Sequence, residues 1–444
     1  MHHQHREKLY NLFNDDRPGI VYLQGGSVQS RYDTDYDYPF RQESNFLYLT
    51  GVNEPDFHMI LDLHNHDFHL FVPKRDPQFA VWNGYIRSQS YYQELYEADA
   101  VHYDSELPKV IKDLNPDIIY CYNDRQTELL DELDIDAEIN IEALEDALTY
   151  CRTIKTSWEL DQLRYAGKVN NEAHRQVMKA IGPDKYEYEM KAVFEYNQVK
   201  YGLVQDAYAG IFASGPNSAI LHYVTNDSYM NDGDLFLIDA GHEYNGYSSD
   251  ITRTFPVNGT FTTMQADVYD TVLRAQKDAI EAAVPGNKME DLHLLAARRI
   301  LEGLVDMGLV KGDIDEMLEK NIFALFFPHG LGHFLGLDTH DVGGYPKGVE
   351  RIQRPGLKYL RVRRELEPGM VLTIEPGLYF IPALLEPAFD DEEKAPYLNR
   401  DKLSQLFDFG GVRIEDNIVV TEGAPENMTD VPKERKDVEK LIQQ

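Results

Sequence analysis

Short apolar runs alternate with polar stretches of helical spacing along the first third of the chain. The stretches "QSYYQELYEAD" and "ELPKVIKDLN" carry the helical spacing. The apolar runs predict strands, which we place at residues 19–26, 45–52, 57–63, 68–73 and 117–122. This alternation predicts an α/β domain over residues 1–155.

A new unit is predicted to begin at residue 156. Thr156 and Glu159 form a capping box ahead of a helical apolar face, and a second helix follows and stops at Gly202. A similar pair of helices recurs at residues 265–286 and 289–308. Each pair is followed by strand-rich sequence, so the pattern suggests an internally duplicated domain over the remainder of the chain, 156–444.

A predicted hairpin in "LFLIDAGHEYNGYSSDITRTF" brings two carboxylates together. Asn245 and Gly246 form the preferred two-residue turn between two apolar strands. With that turn at the tip, Asp239 pairs with Thr252, and Asp250 lies on the same face as Asp239. Two adjacent carboxylates repel each other, and a divalent cation between them would remove the conflict. The alternative is that Asp250 is a solvated hairpin residue.

Two glutamates stand in matching settings further along the chain. Glu375 follows the apolar run of "VLTIEPG", and Glu415 interrupts the apolar run of "GGVRIEDNIVVT". A charged residue in such a strand is rarely buried unless it is paired or binds a metal. A salt bridge from Arg413 to Glu375 or Glu415 is the alternative to a metal site.

The stretch "PHGLGHFLGLDTHDVGG" contains three histidines, His329, His333 and His340. His329 and His333 have the spacing of a helical zinc motif, but the glycines disfavour a helix and the glutamate that such a motif needs is missing. The glycines instead suggest tight bends that allow close approach to an ion or substrate. Four carboxylates and one histidine would form an oxygen-rich site suited to two Mn²⁺, Co²⁺ or similar ions.

Composition narrows the range of partners. The chain carries 76 acidic and 43 basic residues, a formal net charge of −33. Such acidity opposes contact with nucleic acids and anionic membranes, so neither is an expected partner. The two cysteines form no metal-binding pattern, and no signal peptide is apparent. We therefore expect a cytoplasmic protein.

Four motifs together resemble the M24 metallopeptidase family, which includes prolidase, aminopeptidase P, methionine aminopeptidase and creatinase. The motifs are "LIDAGHEYNGYSSDITRTF", "PHGLGHFLGLDTHDVGG", "LTIEPGLYF" and "GGVRIEDN". The similarity continues in the N-terminal half through "YPFRQESNFLYLTGV", "LFVPKRDPQFAVWNG" and "KTSWELDQLRYA". The resemblance implies a creatinase-like α/β domain over 1–155 and an α+β "pita-bread" catalytic domain over 156–444.

The resemblance also implies roles for individual residues. Two divalent ions, Mn²⁺ first with Co²⁺ or Zn²⁺ as alternatives, would be held by Asp239, Asp250, His333, Glu375 and Glu415. A hydroxide shared by the two ions would be the nucleophile, and Glu375 would carry its proton to the leaving nitrogen. His340 and His222 would contact the substrate, and His329 would support the pocket. Arg413 would orient Glu415, and Thr252 would likewise support the ligands without binding the ions.

The long connection "GGYPKGVERIQRPGLKYLRVRRELEPGM" resembles that of prolidases, which hydrolyse Xaa-Pro dipeptides. Arg361 stands where prolidases place an arginine that grips the free carboxylate of the dipeptide. The alternative is that Arg361 joins a solvated basic cluster with its neighbours. Trp82 matches a family tryptophan that reaches the active site of a neighbouring subunit, which implies a homodimer.

Two other functions remain open. The first is an Xaa-Pro aminopeptidase that acts on longer peptides containing proline. The second is a non-catalytic pita-bread binding module, which the presence of all five ligand residues disfavours.

Overall fold

The computed structural model describes residues 2–13, 17–132 and 135–444. The chain divides into two compact units, Met1–Arg152 and Thr153–Gln444. The boundary that the sequence suggests, after residue 155, lies close to this division. Within the described residues, no helix combines the length and apolar character that crossing a bilayer requires.

The first unit contains a six-stranded mixed sheet surrounded by helices. In spatial order its strands are Ala100–Tyr103, Phe68–Val72, His58–Asp62, Gly19–Gln24, Ile118–Tyr120 and Glu138–Asn140. The helices are His2–Tyr10, Ser44–Thr50, Phe79–Asn83, Gln89–Tyr96, the 3₁₀ turn Asp104–Glu106, Leu107–Leu114, Asp124–Glu132 and Glu142–Thr153, which ends at the boundary.

One predicted strand of this unit is wrong, because residues 44–50 form a helix. The Glu43 side chain accepts hydrogen bonds from the backbone N–H groups of Asn45 and Phe46, which caps the N-terminus. Gly51 ends the helix in the left-handed conformation, with a φ of 74°. Every residue of the helix is buried, so it has no exposed polar face whose spacing would distinguish it from a buried strand.

The second unit contains the two predicted helix pairs, and the members of each pair pack against each other. The first pair is Ser157–Ala180 and Glu187–Val199, and Thr156 caps it in the predicted capping box with Glu159. The second pair is Thr263–Glu281 and Met289–Asp306. Shorter helices and 3₁₀ turns lie at Gly215–Ala219, Ile314–Glu319, Ile322–Leu325, Pro382–Ala388, Ala395–Tyr397, Arg400–Ser404 and Arg435–Ile442.

Small antiparallel sheets follow each helix pair. After the first pair, Ile251–Pro256, Leu235–Ala240 and Ile211–Ser214 form one sheet, and Tyr247–Ser248, His242–Tyr244 and Gln205–Asp206 form another. After the second, Val371–Ile374, Asp416–Val419 and Glu426–Asn427 form a sheet, and Gly377–Tyr379 pairs with Gly411–Arg413. Lys185–Tyr186 pairs with Tyr229–Met230. An isolated β-bridge between Thr252 and Glu415 connects the two halves.

The hairpin register agrees with the prediction. Asn245 and Gly246 both have positive φ, 50° and 83°, as the tight two-residue turn requires. Asp239 pairs with Thr252. The predicted register, in which Asp239 pairs with Thr252, is therefore confirmed.

The stretch around the three histidines is a non-helical loop, as expected. Its glycines allow close approach to other backbone segments. A Cβ on Gly332 would lie 1.9 Å from the Thr373 carbonyl oxygen, and one on Gly330 would lie 3.0 Å from the Tyr359 oxygen. At these two positions the bends pack closely against the protein's own backbone, and both glycines also line the cavity described below.

We predict that Gly332→Ala destabilises the second unit by about 1–3 kcal/mol, because the new methyl group overlaps backbone that cannot move without disturbing a buried strand. The midpoint of urea unfolding measures the effect. Gly423→Ala is the control, since a Cβ there meets no atom within 4 Å. Equal midpoints for the two variants would contradict the prediction.

Candidate metal centre and active-site cavity

The second unit contains a cavity of about 810 Å³ into which ten of the predicted site residues face. The cavity is therefore built from residues distant in sequence that the fold brings together. The ten residues are His222, Asp239, Asp250, His329, His333, His340, Arg361, Glu375, Arg413 and Glu415.

Asp239 and Asp250 converge at the floor of this cavity. Asp239 lies at the end of its strand, and Asp250 directly precedes the return strand. The Tyr208 hydroxyl lies 2.7 Å from Asp239 Oδ1 and 2.5 Å from Asp250 Oδ1, so one phenol contacts both carboxylates. The two aspartates therefore face one point, as the hairpin register indicates.

His333 and Glu375 approach the same point from the other half of the unit. His333 Nε2 lies 3.4 Å from Asp250 Oδ2 and 3.6 Å from Glu375 Oε1. His333 Nδ1 lies 3.0 Å from the Phe334 carbonyl oxygen, to which the neutral ring can donate its proton. In that tautomer Nε2 presents its lone pair to the carboxylates, as a metal-binding imidazole must.

Glu415 is the fourth carboxylate that faces this point. Thr252 contacts Glu415, and Arg413 contacts Asp239. The Thr252 hydroxyl donates to Glu415 Oε2 at 2.7 Å. The Arg413 guanidinium forms a salt bridge with Asp239 Oδ2 at 2.6 Å. The sequence offered Glu375 or Glu415 as the partner of Arg413, and that alternative was wrong. Arg413 reaches Glu415 only through Thr252, whose hydroxyl lies 3.3 Å from Arg413 Nε.

The electrostatics of this group favour cations. Burial raises the pKa of Glu415 well above its usual value, and repulsion by Asp250 and Glu375 adds to the shift. Burial also raises the pKa of Asp239 despite Arg413. By contrast, His333 outweighs burial and lowers the pKa of Asp250. Four carboxylates thus surround one point, and Arg413 is the permanent cation that pairs with one of them. Bound divalent ions would neutralise the remaining negative charge.

The donor set fits such ions. One ligand atom each from Asp250, His333 and Glu415 lies within 4.8 Å of the others. Carboxylate oxygens with one imidazole nitrogen suit Mn²⁺, Co²⁺ or Zn²⁺.

His340 and His329 also line the cavity. The His340 ring is 4.5 Å from the His333 ring, centroid to centroid. His329 Nε2 lies 2.9 Å from the Tyr379 hydroxyl oxygen, and that oxygen accepts a hydrogen bond from Arg413 Nη1 at 2.8 Å. Trp82 belongs to the first unit, where it is 84% exposed.

Sequence patterns did not identify Tyr208 as a site residue. It stands in "QDAYAG", where an aromatic residue between two alanines carries no pattern that points to a metal site. The signal that identifies it is spatial, since its hydroxyl meets two carboxylates and burial raises its pKa well above the usual value.

Comparison with known proteins decides the family. The profile of metallopeptidase family M24 matches residues 161–422, more than half of the chain. The chain belongs to metallopeptidase family M24. Residues 2–120 match the N-terminal domain of aminopeptidase P.

Relatives within this family match nearly the whole chain. An Xaa-Pro dipeptidase from Homo sapiens is 43% identical, and the match covers 95% of this chain and 88% of that protein. A probable Xaa-Pro aminopeptidase from Sordaria macrospora is 36% identical, with 99% and 96% covered. The structure of Pseudomonas aeruginosa aminopeptidase PepP has a TM-score of 0.86 at 33% identity, over 100% of this chain and 97% of that one. The predicted fold class, an α/β domain and a pita-bread catalytic domain, is thereby confirmed.

We predict that the metal-free protein loses stability as the pH rises from about 4.3, the usual glutamate pKa, to about 7. Burial raises the pKa of Glu375 to about 7. The folded state therefore holds a proton that the unfolded state releases at lower pH, and this stabilisation disappears as the pH rises through 7. The melting temperature of the chelated protein against pH measures it.

Glu375→Gln should flatten part of this slope, because the amide does not titrate. Glu281→Gln, an exposed change at a helix end, should leave the slope as in the original protein. Identical slopes for Glu375→Gln and the original protein would contradict the assignment.

Proposed function

We propose that this protein is a prolidase, which hydrolyses the peptide bond before proline in Xaa-Pro dipeptides. The observation that carries the proposal is the position of Arg361, whose side chain lines the same cavity as the metal-ligand candidates. A guanidinium there can pair with the free carboxylate of a dipeptide bound with its scissile bond at the centre. The 43% identity to an Xaa-Pro dipeptidase supports the same substrate class.

The neighbouring basic residues behave differently from Arg361. Arg364 Nη2 lies 2.8 Å from Glu367 Oε1, and Arg363 Nε lies 3.5 Å from Glu290 Oε2. Lys358 lies over the Tyr359 ring. In the described part of the chain Arg361 has no acidic partner. These contacts favour a substrate-binding role for Arg361 over membership of a solvated basic cluster.

We further propose that Asp239, Asp250, His333, Glu375 and Glu415 hold two divalent ions. Mn²⁺ is the first choice, with Co²⁺ or Zn²⁺ as alternatives, because the donors are mostly carboxylate oxygens. When bound, such ions would supply Lewis-acid polarisation of the scissile carbonyl and would acidify a water. Activity of chelated protein restored with each metal in turn ranks the three candidates.

Glu375 is the proposed proton carrier. Its carboxylate faces the cavity with its side chain 18% exposed, so it can reach both a water and a substrate nitrogen. It would accept a proton from the attacking water and deliver it to the proline nitrogen as the bond breaks. A bound cation would lower the pKa of this carboxyl from its metal-free value and favour the form that accepts protons.

His340 and His222 are the proposed contacts to the substrate carbonyl. Burial, with help from His333 and Arg361, lowers the pKa of His340 to about 4, so its ring is neutral at physiological pH. A neutral imidazole N–H can still donate to the oxygen that gains negative charge during attack. His222 lines the cavity beside it, and His329, fixed by Tyr379, supports the wall.

An Xaa-Pro aminopeptidase is the second candidate function. The Sordaria macrospora relative carries that name, and structures of aminopeptidase P align with the full chain. The two functions differ in whether the substrate continues beyond proline. A non-catalytic binding module is disfavoured, because all five ligand residues are present and face one cavity.

We predict that Arg361→Ala raises KM for Ala-Pro by about 10- to 100-fold, the effect of losing one charged hydrogen bond of about 1.5–3 kcal/mol. The kcat/KM for an Ala-Pro-Ala tripeptide should change much less. Its carboxylate lies one residue beyond proline and would not reach the position of Arg361 in the same way. Arg361→Lys should recover part of the loss. Steady-state kinetics on both peptides measures this split.

Arg363→Ala is the matched control, because Arg363 is two residues away and does not line the cavity. Its kinetics should match those of the original protein. Faster hydrolysis of the tripeptide by the original protein, or an unchanged dipeptide KM in Arg361→Ala, would favour the aminopeptidase instead.

We also propose a homodimer in the cytoplasm, in which Trp82 of one copy reaches the cavity of the other. The support is an exposed apolar patch on the first unit, where Val81, Trp82 and Tyr85 are 73%, 84% and 86% exposed. The helix that carries Trp82, Phe79–Asn83, buries none of its residues within the chain. Apolar surface of this kind commonly marks a contact with another protein.

We predict that Trp82→Ala shifts the protein from dimer toward monomer, because truncating a large aromatic side chain removes a dominant part of the contact. Sedimentation velocity over a range of concentrations measures the change. Tyr32→Ala removes an aromatic residue of the same unit that is 91% exposed and should leave the dimer intact. A monomeric original protein would contradict the proposal.

A further inference from the structure

A second cluster of potential ligands lies in the same unit, outside the active-site cavity. Glu195 belongs to the helix Glu187–Val199, Asp206 to the strand Gln205–Asp206, and His242 to the strand His242–Tyr244. His242 and Asp206 are direct cross-strand partners, and the helix brings Glu195 over them. The proposed catalysis uses none of the three.

The spacing of the three side chains matches that of metal ligands. His242 Nε2 lies 3.0 Å from Asp206 Oδ1 and 3.1 Å from Glu195 Oε2. Ligand atoms that share an ion at about 2.0–2.1 Å with angles of about 90–109° lie roughly 2.9–3.4 Å apart. One ligand atom from each of the three residues lies within 4.8 Å of the others.

The imidazole is held in a position that ordinary hydrogen bonding does not explain. His242 is 2% exposed, and its ring packs against Phe194 at 5.8 Å. Neither carboxylate lies in the direction of a normal hydrogen bond from Nε2, despite the short distances. This buried nitrogen is therefore aimed into the cluster without a properly directed partner among the described residues.

Charge favours a divalent ion in the cluster. When the His242 ring is neutral, Glu195 and Asp206 together carry two negative charges. Lys191 is the nearby basic side chain whose charge acts on Asp206. If the ring held a proton instead, its single positive charge would leave one of the two carboxylates unbalanced. A divalent ion that displaces this proton would balance both carboxylates, whereas the proton balances one.

We propose that Glu195, Asp206 and His242 form a separate divalent-cation site suited to Zn²⁺, Co²⁺ or Mn²⁺. One imidazole and two carboxylates are donors that these ions accept, and water can complete the coordination. The side chains of Glu195 and Asp206 are 32% and 53% exposed, so an ion can enter from solvent.

Binding at this site would restrain the strands that lead to the active-site cavity. Asp206 precedes Tyr208, whose hydroxyl contacts two of the candidate ligands there, and His242 closely follows Asp239. An ion that joins the helix to both strands would fix them relative to each other. Its expected effect is higher thermal stability.

Metal counting tests the proposal without reference to activity. Full-length protein is dialysed against Zn²⁺ and the metal per chain is measured by mass spectrometry. We expect His242→Gln to bind one equivalent less than the original protein, and Glu195→Gln and Asp206→Asn to bind that ion more weakly. Glu281→Gln, which removes an exposed carboxylate elsewhere in the unit, should retain the full count.

A background variant separates this site from the active-site cavity. Protein carrying Asp250→Ala and His333→Ala should still bind one Zn²⁺, and adding His242→Gln should abolish that binding. Co²⁺ absorption of the background variant should show a nitrogen- and oxygen-ligated ion that is lost with His242→Gln. An equal metal count with and without His242→Gln would overturn the proposal, and the cluster would then be an imidazolium held by two carboxylates.

Discussion

The second unit is organised around negative charge that its own side chains do not neutralise. Asp239, Asp250, Glu375 and Glu415 face one cavity, and the permanent cation paired with one of them is Arg413. Removing carboxylates from water without compensation is costly, and the raised pKa values of Asp239 and Glu415 express that cost. The chain can keep these groups charged and close together only with cations, which is the property a metallopeptidase needs.

The surrounding residues maintain this arrangement. Tyr208 contacts both hairpin aspartates, and Thr252 connects Arg413 with Glu415. The bridge between Thr252 and Glu415 also joins the backbones of the two halves. Because the same residue joins the sheets and positions a carboxylate, the geometry of the centre is tied to the packing of the core around it.

Local patterns explain which features could be predicted from sequence. The register that aligns Asp239 with Thr252 follows from the Asn245–Gly246 turn alone, and the capping box at Thr156 marks the start of its helix. Features that depend on the folded chain were missed or misassigned. The partner of Arg413 and the role of Tyr208 are set by contacts between distant segments, and residues 44–50 form a helix that is buried on every side.

The distribution of the five proposed ligand residues along the chain has a consequence for biosynthesis. Asp239 and Asp250 come from the first half of the second unit, whereas His333, Glu375 and Glu415 come from its second half. A growing polypeptide that has emerged only as far as the first hairpin holds two of the five groups. With this proposed ligand set, the metal centre can assemble only after Glu415 has emerged from the ribosome.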